Sequence, residues 1–294
     1  MSESTRKRIL ITGGTGYLGS NIINSLKHRY NFIVLKRPSS SLERIRNALS
    51  DIELYDVDSL NEDVAEKLRI DIVLHCATHY GRKDTDPVNT IEANLLLPLR
   101  LLSIFKKTKH AVKFINTDTI LDKNISVYSL SKNQFKDWMI FFSNDNAFIN
   151  VQLEHFYGPQ DDKTKFVTYL IDTFINNVPS LDLTKGEQTR YFTYIDDIVS
   201  AFEIILDNSD DFVSGFTDFQ VSDDKPVNLK TFVQLVKKIT GNTITQLNFG
   251  AVAYRKGELM NTNIDSSAIK ALGWKPKIAL EEGLGKAIEI DKKK

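Results

Sequence analysis

Residues 8–19 read Arg8-Ile-Leu-Ile-Thr-Gly-Gly-Thr-Gly-Tyr-Leu-Gly19, and this stretch decides the fold. A short apolar run, which predicts a buried strand, leads through glycines into a segment of helical periodicity over about 16–28. Glycine allows a positive φ and a close approach of backbone amides to an anion, while the start of a helix offers unpaired N–H groups. The stretch therefore predicts a turn that binds the pyrophosphate of a dinucleotide. Its predicted cofactor-binding residues are Gly13, Gly16, Tyr17, Leu18 and Gly19.

Strand-sized and helix-sized segments alternate through the first half of the chain. Parallel strands need crossover connections, and helices between β-branched runs supply them. The longest predicted helix covers about 87–107, and another covers about 127–142. We therefore predict an α/β fold, a Rossmann-type doubly wound parallel sheet with a smaller C-terminal α/β substrate domain. The predicted strands are 8–12, 32–35, 52–55, 71–75, 112–116 and 148–153.

The chain divides near residue 160. Beyond Tyr157-Gly158-Pro159 the apolar segments become shorter and turn residues become more frequent. A helix-like segment within about 193–210 is apolar enough to return to the first sheet. We predict a dinucleotide-binding Rossmann domain over 1–160 and a mainly nucleotide-sugar-binding domain over 161–294, interleaved through about 193–210.

Charge and composition narrow the choice of partners. The 294 residues carry 38 Lys and Arg against 38 Asp and Glu, so no basic field attracts nucleic acid. The apolar run near the N-terminus is too short for a signal peptide, and no stretch approaches the roughly 20 apolar residues of a membrane span. The single cysteine, Cys76, cannot form an internal disulfide. We expect a cytoplasmic protein with a small-molecule partner, no nucleic acid and no membrane.

The residues after the second predicted strand bear on the choice of cofactor. An NAD site normally carries an acid about 20 residues after the glycines, where it binds the ribose 2′-hydroxyl. Here Lys36 and Arg37 stand at that position, and cations suit a 2′-phosphate. We therefore predict NADP(H), with NAD(H) as the alternative if the two cations only solvate a loop. Asp56 and Val57, after the third strand, stand where an adenine-contacting pair or a simple turn would lie.

Tyr128 and Lys132 are four residues apart in a predicted helix, so their side chains share one face. A phenol is a poor base near pH 7, and we expect the ammonium and the oxidised cofactor to lower its pKa. Tyr128 and Lys132 are also predicted cofactor-binding residues, and Lys132 can bind ribose hydroxyls. Thr117 follows the fifth predicted strand, at the edge where open parallel sheets bind ligands, and is the candidate hydroxyl for the reacting oxygen. Thr117, Tyr128 and Lys132 form the predicted catalytic set, with a loop-capping threonine as the alternative for Thr117.

His75 and His79 flank Cys76 and raise the question of a metal site. Side chains four residues apart diverge where a strand passes into a loop, and no second pair of ligands follows in the sequence. We therefore predict no metal. Cys76 lies in an apolar run with nothing nearby that would form a thiolate, so we interpret it as a buried small side chain rather than a nucleophile.

Together with the glycine turn and the Thr117/Tyr128/Lys132 set, several further motifs resemble the extended short-chain dehydrogenase/reductase family of nucleotide-sugar enzymes, the NAD-dependent epimerases/dehydratases. The resemblance runs nearly end to end. It implies about seven Rossmann strands, a nucleoside-diphosphate sugar as substrate and a homodimer. The motifs are His75-Cys76-Ala77, Tyr157-Gly158-Pro159, the run from Gly186 to Asp197, Leu272-Gly-Trp-Lys-Pro276 and Leu280-Glu-Glu-Gly283.

The resemblance also implies roles for single residues. Cys76 and Ala77 fall among the cofactor-binding positions. Arg190 and Arg255 fall where family members bind the substrate diphosphate, a role that suits a guanidinium. A surface ion pair is the alternative for each arginine. His155 replaces the asparagine that many members carry at a sugar-binding position.

The choice of reaction depends on the residues that follow Thr117. Dehydratases of the family carry Asp and Glu there to eliminate water, whereas this chain has Asp118 and Thr119. Several strings resemble the branch that includes CDP-abequose synthase; Tyr80 and Arg82 in one of them, with Asp118, are assigned to the substrate site. The resemblance implies NADPH-dependent reduction of the C4 keto group of a CDP- or dTDP-linked 4-keto-(di)deoxyhexose, in deoxysugar and O-antigen precursor biosynthesis. A nucleotide-sugar 4-epimerase with tightly bound NAD and an inactive Rossmann-fold sensor are the alternatives.

Overall fold

The computed structural model describes residues 6–82, 86–144, 146–255 and 257–293. These residues form two compact units. The first consists of the described part of Met1–Leu153 together with Ala201–Gln220. The second consists of Glu154–Ser200 and the described part of Val221–Lys294. The chain therefore passes from the first unit to the second at the end of a strand, and the second unit is made of two separate segments.

A seven-stranded sheet is the centre of the first unit. Its strands are β1 Arg8–Thr12, β2 Asn31–Lys36, β3 Ile52–Asp56, β4 Ile72–His75, β5 Lys113–Thr119, β6 Ala147–Leu153 and β11 Gly215–Val221. The strand order is β11-β6-β5-β4-β1-β2-β3, and every pairing from β6 to β3 is parallel. The order reverses between β1 and β4, which opens a crevice at their carboxyl ends. The predicted Rossmann-type fold is confirmed.

Helices supply the crossovers between the strands of this sheet. The main ones are α1 Tyr17–Leu26, α2 Glu62–Leu68 and α5 Val127–Phe141. Between β4 and β5 one helical stretch comprises α3 Pro87–Ile91, a π-helical turn over Glu92–Leu96 and α4 Leu97–Phe105. The predicted helix over about 87–107 is thus present, but its π-helical turn was not predicted, because such turns have no simple sequence period.

The stretch Pro87–Phe105 is, among the described residues, long and apolar enough to cross a membrane by length and composition. This finding corrects the expectation that no such stretch exists. Its central Asn94 is completely buried and donates to the carbonyl oxygen of His79 at 2.9 Å and to Ser131 Oγ of α5 at 3.0 Å. One face of the stretch is therefore anchored by hydrogen bonds within the first unit, as expected of a core helix.

The core of the first unit is formed by the central strands. β1 and β4 bury every apolar side chain they carry, as expected of parallel strands covered on both faces. Phe114 of β5 packs its ring 5.6 Å from that of Phe135 of α5 and 6.3 Å from that of Phe148 of β6. Each fully buried side chain of this size contributes roughly 1.5–3 kcal/mol to stability. This packing fixes the carboxyl ends of β1, β4 and β5, where the polar residues lie.

The second unit contains short strands and longer helices. Its strand pairs are β7 His155–Tyr157 with β10 Phe192–Tyr194, β8 Ser180–Leu183 with β13 Gln246–Phe249, and β9 Thr189–Arg190 with β12 Val227–Asn228. Its helices are α6 Phe166–Ile175, α8 Leu229–Thr240, α9 Ser267–Ala271 and α10 Leu280–Asp291, while α7 Ile195–Asp207 contributes residues to each unit. α8 packs against α6 and α10.

Four of the quoted motifs meet in two pairs in the second unit. The buried Asp197 carboxylate accepts from the backbone nitrogens of Lys277 and Ile278, each at 2.9 Å. Trp274 Nε1 donates to the carbonyl oxygen of Asp197 at 3.0 Å. Gly283 packs so closely on Tyr157 that a Cβ would lie 2.5 Å from its phenolic oxygen. These motifs therefore have a structural role, because they join distant segments of the chain by buried hydrogen bonds.

Candidate active site

The glycine turn is fixed by contacts that exclude a side chain. Gly13 has a φ of +67°, and a Cβ there would lie 2.5 Å from the backbone nitrogen of Ala77. A Cβ on Gly19 would lie 2.4 Å from the carbonyl oxygen of Gly13. At Gly16, a Cβ would come near one described atom, the carbonyl oxygen of Gly13, at 3.1 Å. Gly13 and Gly19 are therefore required by packing, whereas Gly16 leaves the start of α1 accessible to a ligand.

The start of α1 offers hydrogen-bond donors to an anion. Gly16 is the N-cap, and within the described residues no side chain caps the helix. The first bond of the helix runs from Ser20 N to Gly16 O, so the N–H groups of Tyr17, Leu18 and Gly19 come before it. These groups and the positive end of the helix dipole suit a phosphate. The turn therefore fits the pyrophosphate of a dinucleotide.

The end of β4 lies beside the glycine turn. Cys76 N donates to Thr12 O at 3.1 Å, and Ala77 N donates to Thr12 Oγ1 at 3.2 Å, which joins the carboxyl ends of β1 and β4. Burial raises the pKa of the Cys76 thiol to about 12, so the sulfur stays protonated and is a poor nucleophile. The described part of the chain contains no group of three or more side chains that could hold a metal ion.

The two cations predicted to bind a 2′-phosphate have different surroundings. Lys36 Nζ forms an ion pair with Asp56 Oδ1 at 2.6 Å, between neighbouring residues of β2 and β3. Its charge is therefore already balanced, and Asp56 is engaged as well. Arg37 is exposed and begins a turn in which Arg37 N donates to Ser40 Oγ at 3.2 Å. Arg44, which the sequence did not single out, places its guanidinium carbon 5.4 Å from the ring centroid of Tyr17.

Tyr128 and Lys132 lie on the first two turns of α5. The helix begins with a capping box in which Ser126 and Ser129 bond each other's backbone nitrogens. Lys132 is completely buried, and its Nζ donates to the carbonyl oxygen of Thr117 in β5 at 2.8 Å. This bond holds the ammonium at the carboxyl end of the sheet. The sequence spacing therefore places the phenol and the ammonium as expected of residues four apart on a helix.

The pKa of Tyr128 departs from the expectation. Burial raises it, the phenol of Tyr80 and the carboxylate of Asp118 raise it further, and Thr119 and Arg82 oppose them. Burial lowers the pKa of Lys132 to about 8, which leaves its ammonium charged at neutral pH. In the protein chain itself burial is the largest influence on Tyr128, so the net shift of its pKa is opposite in sign to the predicted lowering. Tyr128 is a protonated phenol at neutral pH, which is the form that can donate a proton.

The hydroxyl beside Tyr128 belongs to Thr119. Thr117 Oγ1 donates its proton to the carbonyl oxygen of His75 at 3.1 Å, which argues against its predicted role as the hydroxyl for the reacting oxygen. Thr119 is the last residue of β5, its Oγ1 accepts from Leu121 N at 3.2 Å, and its side chain lies close enough to Tyr128 to lower the pKa of that phenol. The strand was predicted to end at 116 but continues to 119, so the residue at its carboxyl end is Thr119.

Asp118 is directed away from this hydroxyl. Residues alternate between the two faces of a strand, so Asp118 and Thr119 point in opposite directions. The Asp118 carboxylate accepts from Thr119 N at 2.8 Å and from Asn150 Nδ2 of β6 at 2.9 Å. The carboxylate is buried, and burial raises its pKa. Its predicted place in the substrate site is therefore wrong; it belongs to a polar cluster between β5, β6 and β11.

The loop after β4 brings two further residues to Tyr128. The Tyr80 ring centroid lies 5.1 Å from that of Tyr128, and the Arg82 guanidinium carbon lies 4.6 Å from the Tyr80 centroid. Asn94 holds this loop, because its Oδ1 accepts from His79 N at 2.8 Å. Asn94 was missed in the sequence, where an asparagine inside an apolar helix is the available signal. The structure thus places Tyr80 and Arg82 at the candidate catalytic residue.

The second unit brings Arg190 and Arg255 together on one carboxylate. Arg190 Nη2 lies 2.6 Å from Glu258 Oε1, and Arg255 Nε lies 3.2 Å from Glu258 Oε2. The Arg190 side chain is 9% exposed and that of Arg255 is 83% exposed. Two guanidinium groups around one acid form a site that suits a diphosphate, because each can offer paired N–H donors to phosphate oxygens. Glu258 was not singled out in the sequence.

A second acid lies in the same unit. Glu154 accepts from Tyr191 N at 2.9 Å and from Thr262 Oγ1 at 2.9 Å. Burial raises its pKa to about 7, although both hydrogen bonds and the charge of Arg190 work in the opposite direction. His155, the next residue, is exposed and stacks its ring 5.3 Å from that of Phe192. The second unit therefore contains an acid that titrates near neutral pH beside the arginine cluster.

Two relatives match nearly the whole chain, and both are CDP-abequose synthases. The protein from Salmonella muenchen is 33% identical over 294 residues, which cover 97% of this chain and 98% of the relative. The protein from Salmonella typhimurium is 30% identical over 292 residues, which cover 95% of this chain and 96% of the relative. Identity of this extent over the full length indicates a common family.

Solved structures share the fold. The UDP-glucose 4-epimerase of Thermotoga maritima with UDP-glucose has a TM-score of 0.80 at 23% identity, over 97% of this chain and 99% of that one. The UDP-glucuronic acid 4-epimerase of Bacillus cereus with UDP-glucuronic acid and NAD has a TM-score of 0.81 at 22% identity, over 97% and 99%. At these identities the likeness supports the architecture and not a particular reaction.

The family assignment follows from the sequence match and the full-length relatives together. Residues 9–220 match the NAD dependent epimerase/dehydratase family. That range contains the glycine turn, Tyr128 and Lys132, which lie at the carboxyl ends of the central strands. The chain therefore belongs to the NAD dependent epimerase/dehydratase family.

Proposed function

We propose that the protein reduces, with NADPH, the C4 keto group of a CDP- or dTDP-linked 4-keto-(di)deoxyhexose, in cytoplasmic synthesis of a deoxysugar for O-antigen precursors. The relatives named CDP-abequose synthase support the substrate class. One observation carries the reaction type: Tyr128, a protonated phenol beside Thr119, stands one helical turn from a buried Lys132. Such a set can deliver a proton to an oxygen on which negative charge develops.

Different residues of the chain have different roles in the proposed reduction. Bound NADPH supplies the hydride, held by the glycine turn and by Lys132. The Lys132 ammonium donates one hydrogen bond to the Thr117 carbonyl oxygen. Within the described residues its other two protons can be donated to ribose hydroxyls. As the carbonyl π pair moves onto the C4 oxygen, Tyr128 gives that oxygen its proton. Thr119 accepts a bond from Leu121 N, so its own proton can be directed to the same oxygen.

The residues after Thr119 support reduction over dehydration. Elimination of water needs an acid and a base beside the sugar, and the hydroxyl is followed here by Ile120 and Leu121. The nearest carboxylate, Asp118, is buried in the polar cluster on the other face of the sheet. These features support a simple ketoreductase.

The second unit supplies the proposed contacts to the nucleotide. We assign the substrate diphosphate to Arg190 and Arg255, where it would replace Glu258 as the partner of at least one guanidinium. His155 is assigned to the sugar, as an exposed ring that can donate or accept a hydrogen bond. Tyr80 and Arg82 are assigned to the substrate because they lie at Tyr128.

NADPH is proposed over NADH on the strength of Arg37 and Arg44. Arg37 is an exposed cation directly after β2, and Arg44 adds a second one next to Tyr17. We expect Arg37→Asp to weaken NADPH binding by at least about 10-fold while sparing NADH, measured by fluorescence titration. Lys36→Met is the comparison, and its effect is expected to be smaller because Asp56 already neutralises Lys36. Equal losses for both cofactors in Arg37→Asp would contradict this assignment.

The homodimer is proposed from one face of α5. Val127, Leu130, Trp138 and Phe141 recur at helical spacing, and Phe141 is 70% exposed. A stripe of this kind on a helix is typical of a helix that pairs with a second copy. We expect Phe141→Asp to convert the dimer to a monomer in light scattering after size-exclusion chromatography. Tyr169→Asp, which alters an exposed aromatic residue of the second unit, should leave the mass unchanged.

The reaction is tested by incubating the protein with NADPH and a panel of CDP-, dTDP- and GDP-linked 4-keto-6-deoxy and 4-keto-3,6-dideoxyhexoses. The proposal expects one NADPH oxidised for each sugar reduced at C4, with the product identified by NMR. An epimerase would instead interconvert C4 isomers with bound NAD and no added reductant. A protein that binds the dinucleotide but turns over no member of the panel would overturn the proposal.

A further inference from the structure

A buried polar cluster lies between β5, β6, β11 and α5 in the first unit, on the face of β5 opposite Thr119. Asn116 Nδ2 donates to Asn150 Oδ1 at 2.8 Å. Asn150 Nδ2 donates both to Asp118 Oδ2 at 2.9 Å and to Asp218 Oδ1 at 3.0 Å. Asp218 Oδ2 accepts from Gln152 Nε2 at 2.7 Å and forms an ion pair with Lys136. Two carboxylates are therefore joined by one amide whose orientation is fixed.

Both carboxylates act as acceptors in their hydrogen bonds to Thr119, Asn150 and Gln152. Asn116 donates to the amide oxygen of Asn150, so the amide nitrogen of Asn150 faces the two acids and donates one proton to each. A protonated acid would place a proton against one of these donors. The cluster is thus built for ionised Asp118 and Asp218. It balances them with two ammonium groups, Lys136 on Asp218 and Lys132 near Asp118.

The surroundings of Lys132 contain one ionised acid. Besides Asp118, three other titratable groups lie around Lys132 among the described residues. They are His75 and Cys76 at the end of β4 and Tyr128 of the same helix. Burial lowers the pKa of His75 well below its usual range and raises that of Cys76 to about 12. The pKa of Tyr128 is raised as well. All three are therefore neutral at pH 7, and the counter-charge for a completely buried ammonium comes from Asp118.

We propose that Asp118, held in place by Asn150, is a positioning residue that keeps Lys132 charged against the Thr117 carbonyl oxygen. Asp118 and Thr117 are adjacent in β5, so the backbone that accepts the Lys132 bond also carries its counter-ion. Asp118 acts through Lys132 and touches neither cofactor nor substrate in this role. The inference rests on the proposed function only in that a charged Lys132 is what would bind ribose hydroxyls.

The cost of losing this counter-charge follows from burial. Burial alone opposes a charged amine, and Asp118 is the first opposing influence on the pKa of Lys132, which lies at about 8. Removing an adjacent opposite charge shifts a pKa by about 1–3 units. Without Asp118, Lys132 would lose its proton near or below neutral pH. The alkaline limit of any reaction that needs the ammonium would then move to lower pH.

The test follows the Lys132 side-chain nitrogen by NMR during a pH titration of the protein, in protein labelled with ¹⁵N-lysine. Lys132→Met identifies the signal. In the wild type we expect a midpoint at about 8, and in Asp118→Asn a midpoint lower by about one unit or more. Asp218→Asn is the matched control, because it removes an equal charge from the same cluster, where Lys136 is the partner. Its Lys132 midpoint should stay within about 0.3 units of the wild type.

An unchanged Lys132 midpoint in Asp118→Asn, or an equal fall in both variants, would overturn the inference. If Asp118→Asn does not fold, the inference is tested in the wild type by following the ¹³Cγ chemical shift of Asp118 during the same pH titration. This shift is expected to change at the pH at which Lys132 titrates. A ¹³Cγ signal that is flat through that pH range would also overturn it. The titration uses neither cofactor nor substrate, so a negative NADPH reduction assay would leave its result standing.

Discussion

The β1–α1 and β5–α5 region of the first unit and the arginine cluster of the second unit hold their polar groups in different ways. In the first, backbone and side chains are so close that a Cβ on Gly13 would lie 2.5 Å from Ala77 N, and Lys132 is completely buried. In the second, Arg190 and Arg255 share Glu258, and Arg255 is 83% exposed. One region is fixed by packing, whereas the other is held by charges that a ligand can replace.

This difference separates two tasks. A cofactor and a reacting oxygen require donors at fixed positions, and rigid close packing provides them. A diphosphate requires charge and paired donors, and exchangeable ion pairs provide those. We therefore expect substitutions in the first region to act on catalysis and on folding together. Substitutions in the second should act mainly on substrate affinity.

The largest effect is expected from Gly13→Ala. The added Cβ meets the backbone of Ala77, and the positive φ of +67° costs about 1–2 kcal/mol for a residue with a side chain. We expect loss of dinucleotide binding in a fluorescence titration and a lower unfolding temperature. Gly241→Ala is the control, since φ is +72° there and a Cβ meets nothing within 4 Å. Equal destabilisation by the two changes would contradict the account of close packing at Gly13.

A smaller but still large effect is expected from Thr119→Val. Loss of the hydroxyl beside Tyr128 should lower kcat by about 10²–10³-fold, as for other donors to a developing oxyanion. Thr117→Val should cost about 1 kcal/mol of stability, because Thr117 Oγ1 bonds the His75 carbonyl oxygen, and should change kcat little. Steady-state kinetics and thermal unfolding of both variants decide between the two hydroxyls. A greater loss of kcat in Thr117→Val would restore the assignment made from the sequence.

These two threonines show what the sequence could predict and what it could not. The glycine turn, the alternation of strands and helices in the first half and the Tyr128/Lys132 spacing follow from local patterns, because each depends on residues close together in the chain. The end of β5 does not, since strand ends depend on the partner strands. Once β5 is known to continue to Thr119, alternation along the strand also turns Asp118 away from the catalytic face.

Other features required the folded chain. The ion pair between Lys36 and Asp56 depends on the register of β2 with β3, which no local pattern gives. Glu258 is found beside Arg190 only because the second unit brings together residues 68 positions apart. The raised pKa of Tyr128 depends on burial, whereas the helical spacing to Lys132 suggested the opposite sign. Roles that depend on contacts between distant segments are therefore the ones that the sequence left open.

In the second unit, substitutions of the two arginines are expected to differ in their effects on protein stability and on substrate affinity. Arg190→Met leaves the buried Glu258 without its close partner, so we expect a loss of about 1.5–3 kcal/mol in chemical denaturation and a higher KM. Arg255→Met should raise KM for the nucleotide sugar with little change in stability, because its side chain is 83% exposed. Equal stability losses would show that the second unit is as tightly fixed as the first.

The smallest effect is expected from the titration of Glu154. Its pKa in the folded protein, about 7, lies above the ordinary value of 4.5. The protonated acid is therefore favoured by folding, and its contribution to stability is full below about pH 4.5 and is lost as pH rises through 7. Denaturation of the wild type between pH 5 and 8, relative to Glu154→Gln, should reveal this loss. A stability difference that is constant over this range would show that Glu154 does not titrate there.

The measurement that tests the central claim most directly is a single-turnover reduction of the 4-keto sugar by NADPH in the wild type and in Tyr128→Phe. The change removes one oxygen and keeps the ring beside Tyr80. We predict a rate lower by about 10²–10⁴-fold, because the phenol is the proton donor. An undiminished rate in Tyr128→Phe would contradict the account.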